Sequence, residues 1–167
     1  MEAQKVPYMV ALLTSEELNV LVLLDSEKDA YATKDEIVKA KLIRDEGVIF
    51  VSEAFGNPVQ VEADIEDLLD LATYEALISE CYQKELSGKT LKLNPKIPRV
   101  AKRYKAAFSE AGIEFQKTRP ARLMLKKMAT NPVDVVPPAT VQRFEALFDV
   151  INKRMAKQVA RVLKPFA

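Results

Sequence analysis

Two short apolar segments separated by a helical one constrain the fold of this chain more than any other feature. Residues 19–24 (NVLVLL) predict a buried strand, and residues 47–53 (GVIFVSE) predict a second one. Residues 28–43 between them predict a crossover helix, and residues 8–18 predict a short helix before the first strand. Since this helix–strand order is typical of parallel α/β packing, we expect an α/β fold class with a parallel sheet.

Acidic side chains follow the first predicted strand directly. Asp25 and Glu27 stand two residues apart at its carboxyl end, where open α/β sheets place ligands and metals. A second acidic cluster, ADIEDLLD, holds Asp64, Glu66, Asp67 and Asp70. Clustered carboxylates are the oxygen ligands that Mg²⁺ and Mn²⁺ require, so metal-assisted phosphoryl chemistry is the leading functional hypothesis.

Each acidic cluster also has a structural interpretation that the sequence leaves open. Asp25 is placed to cap the helix that follows it, with Lys28 neutralising it locally. Asp64 and Asp67 have the spacing of a capping box, and acidic residues suit the N-terminus of a helix. The occurrence of both clusters in a chain without histidine favours the metal site.

The chain has no histidine and one cysteine, Cys81. These counts exclude Ser-His-Asp and Cys-His catalysis and imidazole-based zinc sites, and they leave carboxylates, carbonyls and water as metal ligands. A single cysteine provides no disulfide framework, the N-terminus does not resemble a signal peptide, and no apolar run is long enough to span a bilayer. We therefore expect a cytoplasmic protein with no membrane association.

The overall charge of +1 hides two opposed halves. Residues 1–85 carry a net charge of −12 and residues 86–167 a net charge of +13, which divides the chain into an acidic α/β part and a basic helical part. This polarity suits an enzyme that holds a cation in one part and phosphates in the other. Mutual attraction of the halves, or binding of oppositely charged partners, explains it equally well.

The basic half is predicted to be helical. A helix is expected over residues 98–111, ended by Gly112, and another after Thr118 as N-cap with Pro120 in its first turn. Lys117, Arg119 and Arg122 form a tight basic group that predicts phosphate binding. The strongly amphipathic pattern of residues 140–163 predicts a terminal helix that packs in the core or forms a homodimer face.

Four segments in order resemble a known nuclease family. These are the strand ending in LLDSE, then IEDLL, then FQKTRPA, and finally the helix FEALFDVIN. Together they are similar to the C-terminal part of overcoming-lysogenization-defect (OLD) family nucleases, over roughly residues 8–155. In that family a topoisomerase-primase (TOPRIM) domain follows an ABC-type ATPase domain.

The resemblance implies a TOPRIM endonuclease or nickase that hydrolyses DNA phosphodiester bonds with Mg²⁺ or Mn²⁺. Asp25 would be the first metal ligand, and Glu27 stands where the family usually has a second aspartate. Glu66 and Asp67 match the downstream acidic motif, so the implied metal ligands are Asp25, Glu27, Glu66 and Asp67. Lys117 matches a lysine that would offset charge on the scissile phosphate, which gives the implied catalytic set Asp25, Glu27, Glu66 and Lys117. Lys117, Arg119 and Arg122 would contact the DNA.

The departures from the family pattern are also informative. The glutamate-bearing first strand and the ATPase domain of the family have no counterpart in the sequence. The resemblance therefore implies a partial TOPRIM-like (Rossmann-like) parallel sheet that lacks one strand and has an edge that needs a partner, followed by a helical C-terminal region. We therefore expect a fragment that needs an ATPase-bearing partner domain or chain. Two alternatives stay open: a non-catalytic interaction module that assembles with a partner chain, and a small phosphatase or phosphotransferase using the same acidic strand end.

Overall fold

A computed structural model describes residues 5–56 and 62–162, apart from the side chains of residues 133, 134 and 162. These residues form two compact units. The first comprises the described residues of Met1–Glu62 and Glu145–Ala167, and the second is Ala63–Phe144. The described part is mostly helical and contains a two-stranded parallel sheet.

The first unit contains the predicted parallel sheet. Helix α1 (Val6–Ser15) precedes strand β1 (Val22–Leu24), and helix α2 (Lys28–Lys39) connects it to strand β2 (Val48–Phe50). The strands pair in parallel, with Val22 opposite Val48 and Leu24 opposite Phe50. The expected helix–strand–helix–strand order is confirmed, although each strand has three residues. The predicted second strand, GVIFVSE, ends at Phe50 because the chain continues as the 3₁₀ turn Val51–Phe55.

The core of the first unit lies between this sheet and the helices that cover it. The buried residues are Val10, Val22, Leu24, Ala30, Ile37, Val48 and Phe50. A parallel pair of three-residue strands buries too little surface to persist alone, so these contacts with α1 and α2 are needed for its stability.

Polar contacts fix the end of β2 within the first unit. Arg154 donates from Nη1 to the carbonyls of Val48 (2.6 Å) and Glu46 (3.1 Å), and its Nη2 pairs with Glu53. Glu53 also accepts from the backbone N–H of Phe50 (3.0 Å), so one carboxylate links the strand to the guanidinium. Arg154 lies on the terminal helix α8 (Pro138–Val162), which therefore stabilises the sheet.

The second unit is helical. After the 3₁₀ turn Ile65–Leu68 come α3 (Leu71–Cys81), α4 (Gln83–Leu86), α5 (Val100–Glu110), α6 (Thr118–Met128) and α7 (Pro132–Val135). Its aromatic core contains Tyr74, Ile78, Tyr82, Val100, Tyr104 and Phe108. Gly112 ends α5 with a left-handed φ of 71°, as predicted.

Two local predictions need correction or qualification. Thr118 is the first helical residue of α6 and not its N-cap, because the backbone at Lys117 is already helical. The terminal helix begins at Pro138 and includes Val162, whereas residue 163 of the predicted span lies outside the described residues. Residues 138–144 of α8 belong to the second unit and residues 145–162 to the first.

The predicted division at residue 85 was drawn from charge, and it stays a prediction. No helix within the described ranges combines the length and the apolar character needed to cross a bilayer.

Replacing Arg154 should destabilise the first unit. Arg154→Met leaves the carbonyls of Glu46 and Val48 and the Glu53 carboxylate without these donors, so we expect the free energy of unfolding to fall by about 2 kcal/mol. Urea denaturation followed by circular dichroism measures the change. Lys153→Met on the same helix is the matched control, because Lys153 is exposed and its replacement should change stability by less than about 0.5 kcal/mol. Equal effects of the two substitutions would contradict the assigned role of Arg154.

Candidate functional site

The acidic pair of the first unit lies at the carboxyl end of β1. Asp25 follows the strand directly, and Glu27 occupies the N-cap position of α2. Both residues are half-buried, and the backbone N–H of Glu27 donates to the carbonyl of Asp25 at 3.1 Å. The Glu27 side chain does not cap the helix, and the N-cap is not Asp25, so the capping interpretation of Asp25 is not supported.

Asp25 and Glu27 line a pocket of about 460 Å³ in the first unit. Its walls come from α1 and from the whole length of β1, including Val22 and Leu24. The two carboxylates therefore border a space large enough for a cation with its waters, or for a phosphate group.

The second acidic cluster is built around a buried ion pair. Arg99 Nη1 lies 2.6 Å from Asp64 Oδ1, and the exposed fractions of the two side chains are 5% and 3%. Two buried charges must pair to offset the loss of their hydration. The main role of Asp64 in this structure is thus to pair with Arg99, at the start of α5.

Asp67 is committed to backbone hydrogen bonds. Its Oδ2 accepts from the N–H of Asp64 at 2.7 Å, and its Oδ1 accepts from the N–H of Val100 at 2.8 Å. Burial raises the pKa of this carboxyl group, while the two backbone donors partly oppose the rise. The Asp67-to-Asp64 bond is one half of the predicted capping box, and the bond to Val100 additionally ties the cluster to α5.

Glu66 and Lys117 come together in the second unit. Lys117 Nζ lies 3.0 Å from Glu66 Oε2 and 3.5 Å from Asp64 Oδ2. The lysine is half-exposed, so it joins the acidic cluster to the surface. The structure thus brings together Glu66, Asp67 and Lys117 of the implied site, whereas Asp25 and Glu27 belong to the other unit.

The members of the basic group Lys117, Arg119 and Arg122 differ in their contacts. Arg119 pairs with Glu85 at 2.6 Å, donates to the carbonyl of Cys81, and lies over the ring of Tyr82 at 4.0 Å. Arg122 is exposed on α6. Arg119 therefore stabilises the helical unit and is partly exposed, whereas Lys117 and Arg122 are exposed.

The pairing of Arg99 and the environment of Tyr74 were not predicted from the sequence. A signal for Arg99 exists, because a cation at the N-terminus of a helix opposes the macrodipole and so calls for a specific acidic partner. Tyr74 is 2% exposed, and its hydroxyl oxygen has no hydrogen-bond partner. No sequence pattern distinguishes it from an ordinary core aromatic residue.

The described ranges, 5–56 and 62–162, contain no group of three or more cysteine or acidic side chains close enough to hold a metal ion. The assignment of Asp25, Glu27, Glu66 and Asp67 as metal ligands stays a prediction.

Removing the buried guanidinium of Arg99 should lower the free energy of unfolding more than removing an exposed charge does. Arg99→Met leaves Asp64 charged and buried without its main partner, so we expect a loss of about 3 kcal/mol in the free energy of unfolding. Asp64→Asn added to Arg99→Met should restore at least about 1 kcal/mol, because the uncompensated charge is gone. Urea denaturation of both variants tests this, with the exposed Lys102→Met as control. Absence of rescue in the double variant would contradict the assignment of the loss to an uncompensated Asp64 charge.

Stability should also fall at alkaline pH, because two buried tyrosines ionise more readily in the unfolded chain than in the folded one. Burial raises the pKa of Tyr74 and of Tyr104. The unfolded chain ionises these phenols near pH 10 while the folded chain keeps them neutral, so their contribution to stability is lost as the pH rises above about 10. The slope should reach about 1.4 kcal/mol per pH unit for each tyrosine.

Urea denaturation between pH 8 and pH 11 measures this slope. Tyr74→Phe and Tyr104→Phe should each reduce it, whereas Tyr8→Phe, which removes a solvent-exposed hydroxyl, serves as the matched control. Identical slopes in all three variants would contradict the assignment.

Comparison with known proteins gives no match: no protein-family model, no curated protein and no solved structure matches this chain.

Proposed function

We propose that this chain contributes a TOPRIM-type site for Mg²⁺- or Mn²⁺-dependent nicking or cleavage of DNA in the cytoplasm, working with an ABC-type ATPase domain or chain. The observation that carries the proposal is the position of Asp25 and Glu27. They follow a parallel strand at its carboxyl end and line a pocket of about 460 Å³. This is where open α/β sheets bind ligands.

The donor set at this strand end fits a hard divalent cation. Asp25 and Glu27 supply carboxylate oxygens from half-buried side chains beside open space. Magnesium sites often use one or two carboxylates and complete the coordination with water and substrate phosphates. A cation held there would activate a water molecule and neutralise charge on the phosphate. Asp25 and Glu27 would hold and orient it.

Roles for the second unit in catalysis rest on the resemblance to the OLD family. Lys117 and Arg122 are exposed and suited to phosphate contacts, and Lys117 would also offset charge on the scissile phosphate. Glu66 already pairs with Lys117, and both oxygens of Asp67 accept backbone hydrogen bonds. To become metal ligands these two carboxylates would have to exchange existing partners, so Asp25 and Glu27 are the first residues to test.

A plasmid-nicking assay tests the proposal directly. We expect the chain, supplied with Mn²⁺ at low salt, to convert supercoiled plasmid to the open circular form. Asp25→Ala should reduce the rate by about a hundredfold or more, because a catalytic metal ion supplies several kcal/mol of transition-state stabilisation. Lys117→Ala should also slow the reaction, and chelation of the metal should stop it.

Asp29→Ala is the matched control for this assay. Asp29 is an exposed carboxylate in the first turn of α2, four residues from Asp25, and should be dispensable. Equal nicking by Asp25→Ala and the wild-type chain would refute the assignment of Asp25. Absence of nicking both alone and with an added ABC-type ATPase partner would refute the nuclease function.

The alternative function is a non-catalytic interaction module. Exposed apolar side chains in the first unit favour it: Tyr8 and Leu12 on α1, and Phe148 and Val159 on α8, whose exposed face also suits a homodimer. Apolar contacts persist at high salt, whereas phosphate contacts weaken steeply. Partner or self-association that survives high salt, together with no DNA affinity at low salt, would favour this function over the nuclease.

A further inference from the structure

A strongly basic surface of the second unit lies on α5 and on the segment that precedes it. Residues 86–109 contain seven basic side chains and no acidic one. Two of the seven, Arg99 and Arg103, are held by contacts within the unit. The other five are exposed: Lys89, Lys92, Lys96, Lys102 and Lys105. We call these five lysines the basic face.

The fold holds the two parts of the basic face together. Leu91 and Leu93 pack against the aromatic core of the second unit, and Lys92 between them is exposed. Helix α5 packs against the same core, and its Arg103 donates from Nε to the carbonyl of Ile97 at 2.6 Å. The segment and the helix are therefore joined, and their lysines lie on the outside of one shared core.

The basic face is not neutralised within the second unit. The ion pairs of this unit use four other cations: Arg99, Lys117, Arg119 and Lys127. The lysines of the basic face have no carboxylate partner among the described residues 5–56 and 62–162. Since like charges repel one another, a ligand that carries several negative charges is stabilised by each lysine that it contacts.

The side chains around these lysines restrict the kind of polyanion that fits. Residues 84–110, all of which the structure describes, expose no aromatic ring and no large apolar side chain. Single-stranded nucleic acids bind on exposed aromatic rings that stack with the bases. Protein partners are held mainly by aromatic and other large side chains at the centre of an interface. A duplex needs neither, because its phosphates lie on the outside and supply most of the binding energy.

We propose that the basic face binds the phosphate backbone of double-stranded nucleic acid without reading its sequence. Contacts to phosphates fix the position of a duplex and carry no sequence information. If the chain nicks DNA, this surface holds the duplex during the reaction, yet binding itself requires neither Asp25 nor Glu27. The basic face also differs from Lys117, which is paired with Glu66.

Fluorescence anisotropy of a short labelled duplex with the full chain tests the proposal. EDTA in the buffer removes divalent cations, so binding is measured without cleavage. The logarithm of the association constant should fall with the logarithm of the salt concentration, with a slope of about −4 to −5 for five phosphate contacts. DNA and RNA duplexes of the same sequence, compared in this assay, identify which of the two backbones supplies the phosphates.

Replacing lysines of the basic face tests its location. The test variant combines Lys92→Gln, Lys96→Gln, Lys102→Gln and Lys105→Gln. It should bind the duplex at least about tenfold more weakly and reduce the magnitude of the slope by about 3 to 4. Arginine at the same four positions should restore binding, because arginine keeps the charge.

The matched control removes the same charge from the first unit. It combines four substitutions of exposed lysines: Lys39→Gln, Lys41→Gln, Lys153→Gln and Lys157→Gln. The slope of this variant should differ from that of the wild-type chain by less than about 1, because net charge without phosphate contact releases few counterions. The comparison separates a defined surface from an effect of overall charge.

Four outcomes would overturn the proposal. Three of them are no saturable duplex binding at low salt, an equal loss of slope in the two glutamine variants, and tighter binding of a single strand than of the duplex. The fourth is displacement of the labelled duplex by polyglutamate as effective as displacement by unlabelled duplex, which would assign the basic face to an acidic protein partner. Duplex binding without nicking would refute the nuclease function and leave the basic face intact.

Discussion

The ion pair between Asp64 and Arg99 is the contact on which the second unit depends most. Both side chains are almost completely buried, so neither charge is tolerated without the other. The pair joins the Ile65–Leu68 turn to the start of α5, and the Asp67 bond to the Val100 N–H holds the same junction. Lys117 then brings the beginning of α6 to the same carboxylates, so one acidic cluster orients three segments around the aromatic core.

These contacts give the acidic cluster of the second unit a structural role. Carboxylates close in sequence suggested a metal site, yet Asp64 and Asp67 mainly stabilise the fold by accepting from a guanidinium and from backbone N–H groups. Glu66 differs, because it pairs with Lys117, whose side chain is half-exposed. In the first unit, Asp25 and Glu27 border a pocket, which makes them the better residues for a cation. Identical side-chain chemistry thus serves different purposes in the two units.

The sequence predicted the parts of the fold that depend on local pattern. Apolar periodicity located both strands and their parallel connection through α2, and the glycine at position 112 located the end of α5. It did not reveal contacts between distant residues, such as Arg99 with Asp64 or Arg154 with Val48, since charge type alone does not select a partner. An apolar cavity of about 190 Å³ lined by Tyr74, Leu77 and Met124 was unpredictable for the same reason: it is a space between helices, and its walls come from separate segments. Of the candidate site, the contact of Lys117 with Glu66 is observed, while their catalytic roles stay predictions.

The contacts of Arg154 have a consequence for the order of folding. The carbonyl of Val48 and the guanidinium that binds it are separated by 106 residues, and all 82 residues of the second unit lie between them in the chain. During synthesis from the N-terminus, β1 and β2 leave the ribosome long before α8, whereas the second unit can complete most of its own contacts first. The segment that appears first therefore acquires its full set of stabilising contacts last. Until then, the carbonyls of Glu46 and Val48 lack the guanidinium donor that binds them in the finished fold.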